Sequence, residues 1–262
     1  MSDARRTLPL RRIVVGAFVL SWQNRVTVMR AAGLPMLVIV VAQLAWNSAI
    51  FGSSRFADAA LWCVFVAAFA WLAIATHRLV LIHGWSHRDT IEEFSLRRFA
   101  WFVGALLFLW AAAAIAIVLT MTLVMMSTVG PSYVPAGEAP PAGPSQEHFD
   151  WMQNLATAAA CVLLSRISLV LPSIAMDRRP NLVEVWRFST GNSWRLAVIV
   201  GALPWALNAI TNLLWRNGAT TFEVACLAVL TGVFAIIGFV ALSLAYFELT
   251  HESAPLPTHP PG

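Results

Sequence analysis

Apolar and polar positions separate along this chain on the scale of whole helices. Six stretches, 34–51, 59–76, 99–127, 151–176, 196–215 and 224–247, are uncharged or nearly so. An α-helix needs about 20 residues to cross a ~30 Å hydrocarbon core, whereas barrel strands would alternate over about 10. The pattern therefore predicts an all-α fold, a polytopic membrane helix bundle of about six transmembrane helices. The first stretch is the most polar, with Gln43, Asn47 and Ser48 inside it, and the fourth carries Arg166. The third is longer than a bilayer requires, so it must tilt or project.

The segment before these stretches has a different period. Placed at 100° per residue over 11–31, Val14, Phe18, Trp22, Val26 and Met29 share one side. Arg12, Gly16, Gln23, Thr27 and Arg30 share another. This is the pattern of an N-terminal amphipathic helix lying at the membrane interface. Arg11 and Arg25 fall toward the apolar side and have to snorkel. A cleaved signal peptide fits less well, because Gln23, Asn24 and Arg25 stand where small residues should precede the cleavage site. The expected organisation is thus a cytoplasmic N-terminus with its interfacial helix (1–31), a six-helix membrane domain (32–248) and a disordered cytoplasmic tail (249–262). The loop 129–149, with five prolines and no arginine, is expected to be extended or disordered.

Composition sharpens the solvent argument. Of 262 residues, 59% are hydrophobic and 11% charged, and mean hydropathy is +0.72. Soluble domains carry about 25% charged residues, so lipid is the solvent for most of this chain. All 17 basic residues are arginine. Without lysine, P-loop phosphate binding, pyridoxal Schiff-base chemistry and Ser-Lys hydrolysis are excluded.

The arginines also give an orientation. Arg5, Arg6, Arg11, Arg12, Arg25 and Arg30 precede the first span, and Arg78, Arg88, Arg97 and Arg98 stand between the second and third. Arg178, Arg179, Arg187 and Arg195 stand between the fourth and fifth. The opposite side holds only Arg55 and Arg216. Fourteen against two places both termini in the cytoplasm. Trp85, Trp101, Trp186 and Trp194 would mark the inner interface, with Trp151 and Trp215 at the outer one. That aromatic belt accounts for the arginine–tryptophan neighbours without a nucleic-acid partner.

Two inner loops share a helix-start signature, Thr90 before Glu93 and Asn181 before Glu184. They belong to a weak threefold pattern in which a polar segment leads into a pair of spans. The second span of each pair exits through a polar cluster: Thr76-His77-Arg78, Ser165-Arg166 and Tyr246-Phe247-Glu248.

The stretch 166–177, RISLVLPSIAMD, the stretch 181–196, NLVEVWRFSTGNSWRL, and HRLVL at 77–81 carry a resemblance. They resemble a broad group of bacterial six-span inner-membrane proteins, similar to the membrane domain attached to some glycerophosphodiester phosphodiesterases. In such proteins hydrolysis belongs to a separate soluble barrel, and no part of this chain is long enough to form one. The resemblance implies a fold and a location rather than an activity.

Few residues suggest chemistry. Arg166 lies about 22 Å along the fourth span from Trp151 at 1.5 Å per residue, toward the inner leaflet. With Arg78 at the equivalent place in the repeat, it could contact a lipid phosphate or another anion; alternatively it snorkels or anchors on neighbouring carbonyls. His77, His83, His87 and Asp89 lack the spacing of a metal motif, and Gly84 interrupts any helix that would align them. Cys63, Cys161 and Cys226 fall in three different spans and read as packing residues. Glu223 and Glu248 flank the last span, and no acidic residue stands mid-span, against proton-coupled transport. Gln43, Asn47 and Asn208 read as interhelical hydrogen-bonding groups. Pro204 should kink the fifth span, and Gly201 should allow a close approach.

No cofactor is expected. The expected function is a non-enzymatic membrane module whose partners are membrane lipid, a partner membrane protein or a second copy of the chain. A transporter or channel for a small neutral or anionic solute is the first alternative; it needs Gln43, Asn47, Asn208 and Arg166 to converge on a polar cavity. An intramembrane lipid-phosphate enzyme is the second, needing Arg78, Arg166, His77 and an acid at one depth.

Overall fold

The computed structural model describes residues 7–47, 55–82, 85, 95–129, 156, 160–162, 164–178, 182–214 and 220–250, and every element among them is helical. Thr90, Glu93, Asn181, His83, His87, Asp89, Trp151, Trp215, Arg216, most of the loop 129–149 and the tail lie outside the described residues.

Among the described residues, four helices are long and apolar enough to cross a membrane. They are α2 (Arg25–Asn47), α3 (Arg55–Leu81), α4 (Leu96–Val129) and the last helix, α9 (Thr221–Thr250). Helices α3, α4 and α9 each contain one of the predicted apolar runs, and α2 covers 34–47 of the first, whose remaining residues 48–51 lie outside the described residues. Their outer surfaces are apolar: Ile115, Val118, Leu119 and Leu123 of α4 are all more than half exposed. So much exposed aliphatic surface suits lipid and not water.

The two other expected spans are interrupted. In the fourth, a turn at 165–166 leads into a 3-10 turn (Ile167–Leu169) and the short helix α5 (Val170–Ala175). In the fifth, α7 (Ser193–Ala197) passes through a π turn (Val198–Ala202) into α8 (Leu203–Leu214). Pro204 lies just past that π turn. Its ring blocks the ordinary hydrogen bond to the preceding turn, and a π turn absorbs the misfit. The helix continues through it rather than stopping.

The N-terminal segment also differs from expectation. Helix α1 (Leu10–Gln23) ends at Asn24, and the residues from Arg25 onward belong to α2. Helix α1 packs across the last turns of α9, with Arg12 3.6 Å from Glu248 and Gly16 against Leu244. Its buried residues are Ile13 and Ala17. Phe18 and Trp22 of the predicted apolar side, with Val26 and Met29 beyond the break, are exposed. That side points away from the bundle, which Ile13 and Ala17 face instead.

Helix α9 is central, packing on α1, α2, α3 and α8. In lipid, helices gain little from excluding water, so close contact between small residues holds them together. Val240, Ala241, Ser243 and Ala245 are fully buried. An added Cβ at Gly232 would stand 3.1 Å from Met36 of α2. At Gly201 it would stand 2.5 Å from the Cβ of Cys161, which fits the close-approach expectation and the packing role of that cysteine.

Candidate functional site: the arginine-rich end of the bundle

The polar chemistry gathers at one end of the bundle, where α3 finishes, α4 begins and α9 terminates. Helix α5 closes there in a Schellman turn: Arg178 N–H donates to Ser173 O at 3.0 Å and Asp177 N–H to Ile174 O at 3.0 Å. Asp177 occupies the left-handed position with φ 60°, where glycine is the default. Its carboxylate accepts from two helices. Arg98, in the first turn of α4, donates from Nε to Oδ1 and from Nη2 to Oδ2, each at 2.6 Å. Arg78, in the last turn of α3, donates from Nη1 to Oδ2 at 3.2 Å and to Ala175 O at 3.1 Å.

One carboxylate thus ties three separate elements. The hydrogen bond from Arg98 is the main reason the Asp177 carboxyl lies below its ordinary range, with further help from Arg78 against the opposing effect of burial. Helix α4 is also capped here, as Ser95 Oγ accepts from Arg98 N–H at 3.4 Å.

Arg166 serves another partner. It stands in the turn that breaks the fourth span and reaches over the end of α6 (Leu182–Phe188). Its Nε donates to Ser189 Oγ at 2.9 Å and its Nη2 to Thr190 Oγ1 at 2.7 Å. Nη2 also donates to Trp186 O, and the guanidinium lies 3.7 Å from the centroid of the Trp186 ring. A cation on the last carbonyls of a helix is electrostatically favourable, and an arginine over indole adds a cation–π contact. This is the anchoring arrangement on neighbouring carbonyls. Arg78 and Arg166 therefore take different acceptors, on Asp177 and on the 186–190 segment.

The same end is closed by the N-terminal segment. Leu8 N–H donates to Asn192 Oδ1 at 2.9 Å, and Arg195 Nη1 donates to Leu8 O at 3.0 Å. Trp101, Trp186 and Trp194 are exposed here, as an interfacial belt requires. Trp85 is buried, at 8% exposure, and so departs from the expected belt. Its φ of 72° and a hydrogen bond from its N–H to Leu79 O turn it inward against the end of α3.

His77 is fully buried between α3 and α9. Ser243 Oγ donates to Phe239 O at 2.8 Å, so it accepts from His77 Nδ1–H at 2.7 Å. The imidazole sits against the rings of Phe102 and Phe239. It is a packed core histidine whose hydrogen-bond partner, Ser243, differs from the acceptors of Arg78.

Among the described residues, Gln43, Asn47 and Arg166 of the set required for solute transport are used in separate local contacts. Asn47 Nδ2 donates to Gln43 O of its own helix and is exposed; the side chain of Asn208 lies outside the described residues. A cavity of about 440 Å³ opens beside α4, α8 and α9, lined by Phe69, Trp110, Leu164, Pro204 and Phe234 among others. Its hydroxyls, Ser168, Thr211 and Thr231, each donate to a carbonyl three or four residues back in the chain. Glu223 is likewise used locally, accepting from Thr220 N–H at 2.6 Å in a capping box that starts α9.

Asp177 and Arg98 are the members of this site that sequence reasoning passes over. A signal existed, since Asp177 is the one acid in a run that continues with Arg178 and Arg179. No family model matches the chain, no curated protein is similar to it, and no solved structure matches it. The resemblance to phosphodiesterase-associated membrane domains rests on the quoted residues alone.

Proposed function

We propose that this chain is a six-span bacterial inner-membrane protein, both termini cytoplasmic, acting as a non-enzymatic module that interacts with membrane lipid. The observation that carries the reading is how the arginines are used. Arg78 and Arg98 hold Asp177, and Arg166 holds the end of α6, so these cations fasten helices together. An enzyme acting on lipid phosphate would need Arg78, Arg166, His77 and an acid on one reacting group, and their acceptors differ. A transporter would need charge or amides in its path, whereas the cavity beside α9 is apolar with self-satisfied hydroxyls. What the end of the bundle does offer is exposed tryptophan and arginine above apolar helix faces, the chemistry of a lipid interface.

Orientation follows from the same reading. The fourteen arginines on one side would face the anionic cytoplasmic leaflet. Native mass spectrometry of the full chain released from mild detergent tests the function. Phospholipid retained through purification is the expected result; a lipid-free spectrum under conditions that preserve the fold would overturn it.

A further inference from the structure

A cleft of about 490 Å³ runs along α4 between that helix and the segment 167–174, bounded by Trp101, Gly104, Phe108, Ile167, Ile174 and Leu182. Its floor is low because Gly104 carries no side chain, and an added Cβ there would meet nothing within 4 Å. Trp101, Phe108 and Leu182 are each more than half exposed, so the cleft opens sideways toward lipid.

Arg97 belongs to the same face of α4. Arg97, Trp101, Gly104 and Phe108 follow at i, i+4, i+7 and i+11, the spacing of one helical stripe. Arg97 is exposed and stands at the end of the cleft where the Arg78–Asp177–Arg98 cluster lies. Two arginines share one carboxylate in that cluster, so the mouth of the cleft is cationic even before Arg97 is counted. From Arg97 to Phe108 the stripe is about 16 Å long at 1.5 Å per residue, close to the ~15 Å depth of one leaflet's hydrocarbon.

We propose that this cleft seats one acyl chain of an anionic phospholipid whose phosphodiester headgroup is held at Arg97. The inference rests on the lipid-interacting reading above and gives it a place and a headgroup charge. A cationic mouth and an apolar floor select an anionic lipid over a zwitterionic one. One arginine near a charged headgroup contributes a preference of about fivefold.

The test uses the full chain, delipidated and titrated with palmitoyl-oleoyl phosphatidylglycerol or phosphatidylcholine under native mass spectrometry. Wild type should favour phosphatidylglycerol by about fivefold or more. Gly104→Leu, whose Cβ has open space, should fill the cleft and weaken both lipids, while Arg97→Gln should cut the preference for phosphatidylglycerol about fivefold. Unchanged binding in Gly104→Leu overturns the seat, and an unchanged preference in Arg97→Gln overturns the headgroup contact. If wild type takes up neither lipid, the functional reading fails with the inference; if it binds both but neither variant matters, only the inference fails. Circular dichroism confirms that each variant is folded, and Arg97→Gln, at an exposed position, stands as a test even if Gly104→Leu does not fold.

Discussion

Asp177 accepts a two-pronged hydrogen bond from Arg98, Nε to Oδ1 and Nη2 to Oδ2, both at 2.6 Å, while its backbone holds φ at 60°. An aspartate in that conformation costs roughly 1 kcal/mol more than glycine would. The carboxylate offsets that strain by joining α3, α4 and the end of α5. Three variants separate the two effects. Asp177→Ala keeps the strain and loses the bridge, so it should be the least stable, by about 1–3 kcal/mol. Asp177→Gly loses the bridge but relaxes the backbone, and Asp177→Asn keeps some hydrogen bonding without the charge. Thermal unfolding in detergent ranks them; a glycine variant as stable as wild type would mean the bridge contributes nothing.

The same carboxyl predicts a pH dependence. Its pKa is lowered in the folded protein, chiefly by the hydrogen bond from Arg98. The stabilisation is therefore complete above the unfolded value of about 3.9 and lost as pH falls through the lower, folded value. The stability gap between wild type and Asp177→Asn should be constant from neutral pH to about pH 5 and shrink below about pH 4. A gap that instead closes between pH 6 and 8 would point to a histidine. Asp177 is half exposed, which keeps the effect modest.

Gly201 gives a test with an unusual sign. Glycine to alanine inside a helix ordinarily stabilises by up to about 1 kcal/mol. Here the new methyl would meet the Cβ of Cys161 at 2.5 Å, so Gly201→Ala should destabilise by about 1–3 kcal/mol. Adding Cys161→Gly should restore part of the loss, because the two positions are coupled through one contact. At Gly104, where the space is open, alanine should be neutral or better.

Arg166 should act locally. Replacing it by alanine removes donors to Ser189, Thr190 and Trp186 O and the contact over the Trp186 ring. Amide exchange across 186–190 should rise about tenfold, corresponding to about 1.4 kcal/mol. Exchange at the end of α3 around Arg78 should stay unchanged. Lysine should rescue poorly, since it lacks the planar fork that serves several acceptors at once. Loss of protection at both places together would argue that the two arginines share one site after all.

These residues also show what the chain discloses before folding. The cores of α2, α3, α4 and α9 are legible because a largely apolar run of about twenty residues admits few structures in lipid. The disturbance near Pro204 is legible too, since a missing N–H acts on its own turn; its form as a π turn depends on packing. The break at 165–166 is hidden inside an apolar run, because its partners lie twenty residues further on, at 186–190. Asp177 is hidden for the same reason: its meaning comes from Arg78 and Arg98 on other helices. In α1 the sequence pattern does not say which residues pack on the bundle. Helical periodicity separates an apolar face from a polar one and does not say whether the apolar face meets protein or lipid. Ile13 and Ala17, rather than Phe18 and Trp22, face the bundle.

The central claim is that the arginine-rich end engages anionic lipid. A ligand that binds only the folded state raises its stability, by about 2.7 kcal/mol at a hundredfold excess over Kd. The most direct measurement is the Tm of delipidated protein in detergent with phosphatidylglycerol or phosphatidylcholine added at equal concentration. The account predicts a clear rise with phosphatidylglycerol and a smaller one with phosphatidylcholine. Equal shifts, or none with either lipid, would contradict it.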